Sequence, residues 1–267
     1  MERKNKTTIK IAVANQKGGC GKTTTVMNLG AALAVRGKRV LLVDFDPQHH
    51  LSSWLGFSPD SKPTTTEIIY NTVANLPISF DEFIRHSETE NFDFIPATNL
   101  LAGMLGILAA DKDSPNVITR IFTSQFFNKN YDYIIFDCQT ALDLLVTNVL
   151  KCCDKLLIPV QADILSYEGV EQMTDTFMRV KADTDIKKYL LGMLVTMYVS
   201  NTKHSEQIYN ALKESYNGFV FNTYISYRTE AKNAVGFRHS SVSDKKSAVG
   251  AQYIDIANKV MEVCENA

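Results

Sequence analysis

The sequence predicts an α/β fold: one domain built on a mostly parallel, twisted sheet with helices on its faces. Three observations predict it. Short runs such as 39–43 (Arg-Val-Leu-Leu-Val) and 133–136 (Tyr-Ile-Ile-Phe) are apolar almost throughout, as strands of a parallel sheet are when both faces are covered. Helical patterns separate these runs, so right-handed crossovers join successive strands. Three runs end in a glycine-rich loop or in aspartates, where ligands settle in such sheets, beyond the carboxyl ends of the strands.

Each element follows in order. Ile9 to Ala14 reads as the first strand and runs into a glycine-rich loop. Thr23 to Val35 reads as a helix, stopped by Gly37. Residues 39–43 form the next strand, ending at Asp44-Phe45-Asp46-Pro47. Thr64 and Glu67 stand three apart at the start of a helical stretch, the spacing of a capping box. Ser114-Pro115 opens another helix, with Ser as N-cap and Pro in the first helical position. Residues 133–136 form a strand that ends at Asp137, and Leu142 to Leu150 a helix. Leu156 to Val160 and Leu190 to Met197 repeat the strand pattern, and Phe219-Val220-Phe221 offers one more. Tyr167 to Val180, Ser205 to Tyr216 and Ser247 to Val263 are further helices. No linker or composition shift divides the chain. The expected organisation is a basic N-terminal tail over residues 1–8 and one domain over 9–264.

Composition narrows the class. Of the 267 residues, 45% are hydrophobic and 21% charged, which is ordinary for a soluble globular chain. With a net charge of −1, nucleic-acid binding has to come from a local basic patch. Cys20, Cys138, Cys152, Cys153 and Cys264 form an odd set without metal-ligand spacing, against a disulfide framework or a zinc site. Reduced thiols in the cytosol fit best. The start, Met1 to Lys10, lacks the apolar region of a secretory signal. No stretch approaches the ~20 apolar residues of a membrane span.

The loop carries the clearest chemistry. Gly18-Gly19-Cys20-Gly21-Lys22-Thr23 lies between a strand and a helix, on the terms of a P-loop. Glycines let the backbone turn its N–H groups toward phosphate oxygens, and the helix N-terminus adds partial positive charge. Lys22 then reaches the β- and γ-phosphates, the Thr23 hydroxyl is a Mg²⁺ ligand, and Thr24 touches the α-phosphate. Cys20 reads as a small spacer. A redox-sensitive thiol is the alternative, since a helix N-terminus favours thiolate.

Lys17-Gly-Gly-Cys-Gly-Lys22-Thr-Thr-Thr25 resembles the deviant Walker A motif of the ParA/MinD ATPases, and Asn28-Leu29-Gly30 follows as in that family. Val43-Asp44-Phe45-Asp46-Pro47-Gln48 resembles its switch I, and Tyr131 to Cys138 its Walker B strand. Leu157 to Gln161, Tyr167-Glu168-Gly169, Thr196-Met197 and Thr229-Glu230-Ala231 also match, so the likeness runs from about Ile9 to Val260. It is strongest to the small ParA/Soj-like partition ATPases. The resemblance implies an ATP-sandwich homodimer, with ATP and Mg²⁺ as cofactors and Met197 among the nucleotide-binding residues. In it Lys17 reaches across to the partner's nucleotide, with Glu168 as its dimer contact. Asp46 orients the attacking water, Asp44 supports the Mg²⁺ shell, and Asp137 holds a Mg²⁺-bound water. Taken alone, Lys17 also reads as a solvated lysine and the strand-end aspartates as caps.

The resemblance further implies non-specific double-stranded DNA as a partner in the ATP state. It adds a ParB-like centromere-binding protein that stimulates a low basal ATPase, and a cytoplasmic, nucleoid-associated location. Two departures stand out. Gln139-Thr140 replaces the usual pair of prolines in switch II, and Val199 and Asn201 stand where Soj-like proteins carry Asp and Arg. The basic residues Lys203, Arg228, Lys232, Arg238, Lys245 and Lys246 are the candidate DNA stripe. Two other readings are a ParA-like positioning ATPase for a non-DNA cargo and a MinD-like membrane-cycling ATPase. The second needs a basic amphipathic C-terminal helix. Residues 253–267 are acidic, and their Ile/Val/Met stripe reads as core. No membrane is expected.

Overall fold

A computed structural model describes residues 7–163, 166–200 and 202–265, excluding the side chains of 166–168, 232 and 233. The tail expected over residues 1–8 falls largely outside them. In chain order the elements are β1 (Ile9–Val13), α1 (Lys22–Val35), β2 (Val40–Phe45), α2 (His50–Trp54), α3 (Thr65–Val73), β3 (Arg85–His86), β4 (Asp93–Ile95), α4 (Met104–Ala110), α5 (Val117–Phe122) and α6 (Gln125–Asn130). There follow β5 (Tyr133–Cys138), α7 (Leu144–Cys152), β6 (Lys155–Gln161), α8 (Ser166–Lys181), β7 (Leu190–Thr196), α9 (Lys203–Ser215), α10 (Thr229–Gly236) and α11 (Ala248–Glu265).

The strands make one seven-stranded sheet in the order β3-β4-β2-β5-β1-β6-β7, parallel except for β3. Alternate residues of the apolar strands feed two cores. Ala12, Leu41, Val43, Ile134 and Phe136 pack under α3, α5, α7 and α8. Ile11, Val13, Leu42, Tyr133 and Ile135 pack under α1 and α11. A strand buried on both faces has no polar side to show, so the runs read as continuous. Edge strand β3 is two residues long and polar, which discourages pairing with another chain.

Local signals explain most boundaries. Thr64 and Glu67 form the expected capping box at α3. Asp143 accepts from the N–H groups of Leu145 and Val146, so α7 begins at Leu144 rather than Leu142. Thr202 caps α9, which starts at Lys203.

Two expectations are corrected. Ser114 is not an N-cap: Ser114–Asn116 is a 3-10 turn containing Pro115, the helix proper starts at Val117, and the buried Ser114 hydroxyl has no hydrogen-bond partner among the described residues. Phe219–Phe221 runs parallel beside β7 but makes only the Met193–Val220 bridge, because the segment turns away to contact β7 again at Ile225. The apolar stripe of α11 is core, with Val249, Tyr253, Ile256, Ala257 and Val260 buried.

Candidate nucleotide-binding site

The loop between β1 and α1 folds as its glycines require. Gly19 and Gly21 take φ of +73° and +90°, left-handed values open to glycine. A Cβ on Gly18 or Gly19 would meet nothing within 4 Å, so the loop lines open space. Its rear is tied to the sheet: the Thr196 hydroxyl, at the end of β7, donates to the Cys20 carbonyl at 2.8 Å. Cys20 is fully buried, and burial pushes its thiol above the ordinary range although Lys22 pulls the other way. A buried thiol pushed up in this way fits the small-spacer reading. Met197 follows at φ +53°, a value uncommon outside glycine.

Parallel register brings the acidic strand ends to the same edge. Asp137 pairs with Val13 on one side and with Asp44 on the other. Asp44 Oδ1 accepts from the Asp46 N–H at 3.0 Å, and its Oδ2 from the Ser52 N–H at 3.0 Å and the Ser52 hydroxyl at 2.6 Å. Burial nevertheless pushes its carboxyl up to about 6. Asp44 therefore anchors the β2–α2 loop, which carries the half-buried Asp46. Asp137 is buried as completely, yet neither of its oxygens has a hydrogen-bond partner among the described residues. Burial, and then the charge of Asp44, hold it well above the usual carboxylate range, while Thr23 and Lys22 pull it down.

The lysines point inward. Lys22 Nζ donates to the Lys17 carbonyl at 3.2 Å and to the Thr140 hydroxyl at 3.1 Å. Lys17 Nζ forms an ion pair with Asp163, just beyond β6, at 2.7 Å. The Lys17 N–H donates to Asn15 Oδ1, and Asn15 Nδ2 donates to the Pro159 carbonyl. Chemically, a glycine loop bordering open space and the ammonium of Lys22 lie beside a buried carboxyl with no hydrogen-bond partner among the described residues.

A family model described as an AAA domain matches residues 8–190. The sporulation initiation inhibitor protein Soj of Bacillus subtilis is 35% identical over 251 residues, covering 94% of this chain and 97% of Soj. The chain belongs to the ParA/Soj partition ATPases. The chromosome partitioning protein ParA of Caulobacter vibrioides is 30% identical, covering 94% of this chain and 93% of that one. A Mycobacterium smegmatis structure described as cobyrinic acid a,c-diamide synthase, with bound ATP analogue and magnesium, superposes with TM-score 0.78 at 30% identity, covering 94% and 93% of the two chains.

As a ParA/Soj-type P-loop ATPase, the chain places its expected residues unevenly. Lys17, Gly18, Gly19, Cys20, Gly21, Lys22, Thr23, Asp44, Asp46 and Asp137 converge at the carboxyl edge of the sheet. Thr24 opens α1 beside them, its carbonyl accepting from Asn28 Nδ2. The side chains of Glu168 and Lys232, and Asn201 as a whole, lie outside the described residues. Lys203, Arg228, Arg238, Lys245 and Lys246 are exposed.

Some matching motifs prove architectural. A Cβ on Gly30 would come within 2.7 Å of Leu42 Cδ2, so Gly30 lets α1 pack on β2. Glu230 accepts from the Ser247 hydroxyl and the Val249 N–H, capping the start of α11. Sequence reasoning missed Ser52, Thr140, Asp163 and Thr196 as partners of the site. Of these, only Thr196 and Thr140 carried a signal, as part of a matching pair and as a departure. Among the described residues no helix is long and apolar enough to cross a membrane.

Proposed function

We propose that this chain is an ATP-dependent dimerising switch for plasmid or chromosome partition. The observation that carries the nucleotide reading is Asp137. A fully buried carboxyl whose two oxygens have no hydrogen-bond partner among the described residues, beside a second buried carboxyl, must either stay protonated or sit by a cation to be ionised. Magnesium fits the donor set, being a hard cation that takes oxygen ligands and keeps several waters. Thr23 would hold it directly and Asp137 through a bound water. When bound it neutralises charge on the terminal phosphates. ATP as its companion is supported by the glycine conformations of the loop and by the nucleotide-bound M. smegmatis relative.

In this reading the N–H groups of residues 18–24 cradle the phosphates and Lys22 neutralises the terminal ones. Met197 flanks the nucleotide. Lys17 exchanges Asp163 for the nucleotide of a second copy, where it stabilises the transition state as an arginine finger does, with Glu168 as its dimer contact. Asp46, held through Asp44, orients the attacking water. Asp44 supports the Mg²⁺ shell from its place beside Asp137, held there by the hydrogen bonds its two oxygens accept.

The ATP dimer binds duplex DNA without sequence preference through Lys203, Arg228, Lys232, Arg238, Lys245 and Lys246. A ParB-like protein stimulates a slow basal hydrolysis, in a cytoplasmic cycle on and off the nucleoid. Lys203 stands in the first turn of α9, where a cation opposes the helix dipole; phosphate contact would offset that cost. The test measures binding to random-sequence duplex DNA without nucleotide, with ADP and with ATP, alongside molecular mass. ATP-specific dimerisation and DNA affinity support the proposal. A dimer indifferent to DNA assigns the switch to another cargo.

A further inference from the structure

Thr140 stands three residues beyond Asp137, in the segment where Gln139-Thr140 departs from the family's paired prolines. Proline has no hydroxyl, so the 3.1 Å hydrogen bond from Lys22 Nζ to Thr140 Oγ1 depends on this chain's own residue. The neighbouring Gln139 donates its side-chain amide to Asp143 Oδ2. Asp143 Oδ1 accepts from the N–H groups of Leu145 and Val146 at 3.0 and 3.1 Å and so caps α7. Leu145, Val146, Val149 and Leu150 of that helix are buried in the core. Hydrogen bonds therefore link the loop lysine to the turn 139–143 and, through its cap, to a helix packed under the sheet.

We propose that Thr140 senses the terminal phosphate: its hydroxyl accepts from Lys22 in the free protein and donates to the phosphate oxygen that Lys22 holds when ATP is bound. This rests on the nucleotide reading above. A hydroxyl has one proton and two lone pairs, and accepting from Lys22 leaves the proton available. Lys22 has three N–H donors, and two are used on Lys17 and Thr140. A phosphate oxygen taken by the third lies about 3 Å from the ammonium, within reach of a hydroxyl bound to the same ammonium. ADP lacks that terminal group. The contact thus separates ATP from ADP and passes the difference to the cap of α7.

The test is calorimetric titration of wild type, Thr140→Val and Thr140→Ser with Mg²⁺ and either a non-hydrolysable ATP analogue or ADP. Thr140→Val should lose roughly ten-fold in affinity for the analogue, the weight of one hydrogen bond to a charged group, and much less for ADP. Thr140→Ser should restore the analogue. Hydrogen exchange over 141–152 should slow with the analogue in wild type and in Thr140→Ser, and not in Thr140→Val. Tighter binding of both nucleotides by Thr140→Val would mean that the hydroxyl only parks Lys22, and overturns the proposal. Equal losses for both nucleotides overturn it as well. Wild type that binds neither nucleotide overturns the nucleotide reading, and Thr140's part with it. Wild type that binds normally, with no ATP-specific loss in Thr140→Val, overturns Thr140 alone.

Discussion

Asp44 and Asp137 stand opposite each other across the β2–β5 pairing, both buried, and among the described residues Asp44 accepts hydrogen bonds while neither oxygen of Asp137 does. One carboxylate holds a loop in place. The other has no hydrogen-bond partner for either oxygen among the described residues and faces the phosphate loop.

That pair sets a pH dependence. Burial raises the folded-state pKa of both groups, that of Asp44 to about 6. A carboxyl raised on folding adds stability that is full below its unfolded pKa and is lost as pH rises through the folded one. Without nucleotide or magnesium, the protein should be less stable at pH 7.5 than at pH 5 by on the order of 2 kcal/mol, at about 1.4 kcal/mol per pKa unit. Asp137→Asn should flatten the trend and raise the melting temperature at pH 7.5. Melts in a chelating buffer check both; a trend of opposite sign refutes the account.

Ser52→Ala removes the donor to Asp44 at 2.6 Å and the acceptor of the Ala97 N–H at 2.9 Å. A buried hydrogen bond to a charged group is lost and a buried N–H is stranded, at a cost of about 2–4 kcal/mol. Urea unfolding measures the loss. Turnover should fall too, because the loop bearing Asp46 loses its anchor.

Two glycines should differ in tolerance. A Cβ on Gly250 would stand 2.2 Å from the Ser241 carbonyl oxygen, which is backbone, whereas one on Gly30 meets a leucine methyl at 2.7 Å. Gly30→Ala should cost about 1–2 kcal/mol, within the usual range of core overpacking, and Gly250→Ala about 3 kcal/mol or more. Equal melting temperatures for the two variants would contradict this ordering.

Asp46→Ala should bind ATP with near wild-type affinity and hydrolyse it far more slowly, since the phosphate loop is untouched. Single-turnover assays beside calorimetry separate the two effects. Wild-type turnover would remove Asp46 from the mechanism.

Replacing Lys245 and Lys246 together by Ala should flatten the salt dependence of DNA binding by the ATP-state dimer. Log affinity falls with log salt at about −0.9 per phosphate neutralised, so each lost contact removes that increment. An unchanged slope would place the DNA stripe elsewhere.

Much of the fold was legible because its signals are local. Two-sided burial turned β1, β2, β5, β6 and β7 into continuous apolar runs, and Thr64–Glu67 announced a cap. Strand β4, three residues opening with Asp93, left no run to see, and β3 is shorter still. Phe219–Phe221 looks like a strand, yet the chain beside it turns away. Ser114 looks like a cap, but a cap needs helical N–H groups in place, and the helix starts three residues later.

The sequence by itself determined the phosphate loop, since the glycines that permit left-handed turns and the lysine and threonine after them lie within a few residues. It also determined which strands end in acid. Only the tertiary structure decided what those residues touch. Lys22 meets Thr140 across 118 residues of chain, Lys17 meets Asp163 across 146, and Asp44 accepts from Ser52 while Asp137 accepts no hydrogen bond among the described residues. Whether a buried carboxylate is satisfied depends on which distant segments the sheet brings to its edge, and no local pattern encodes that.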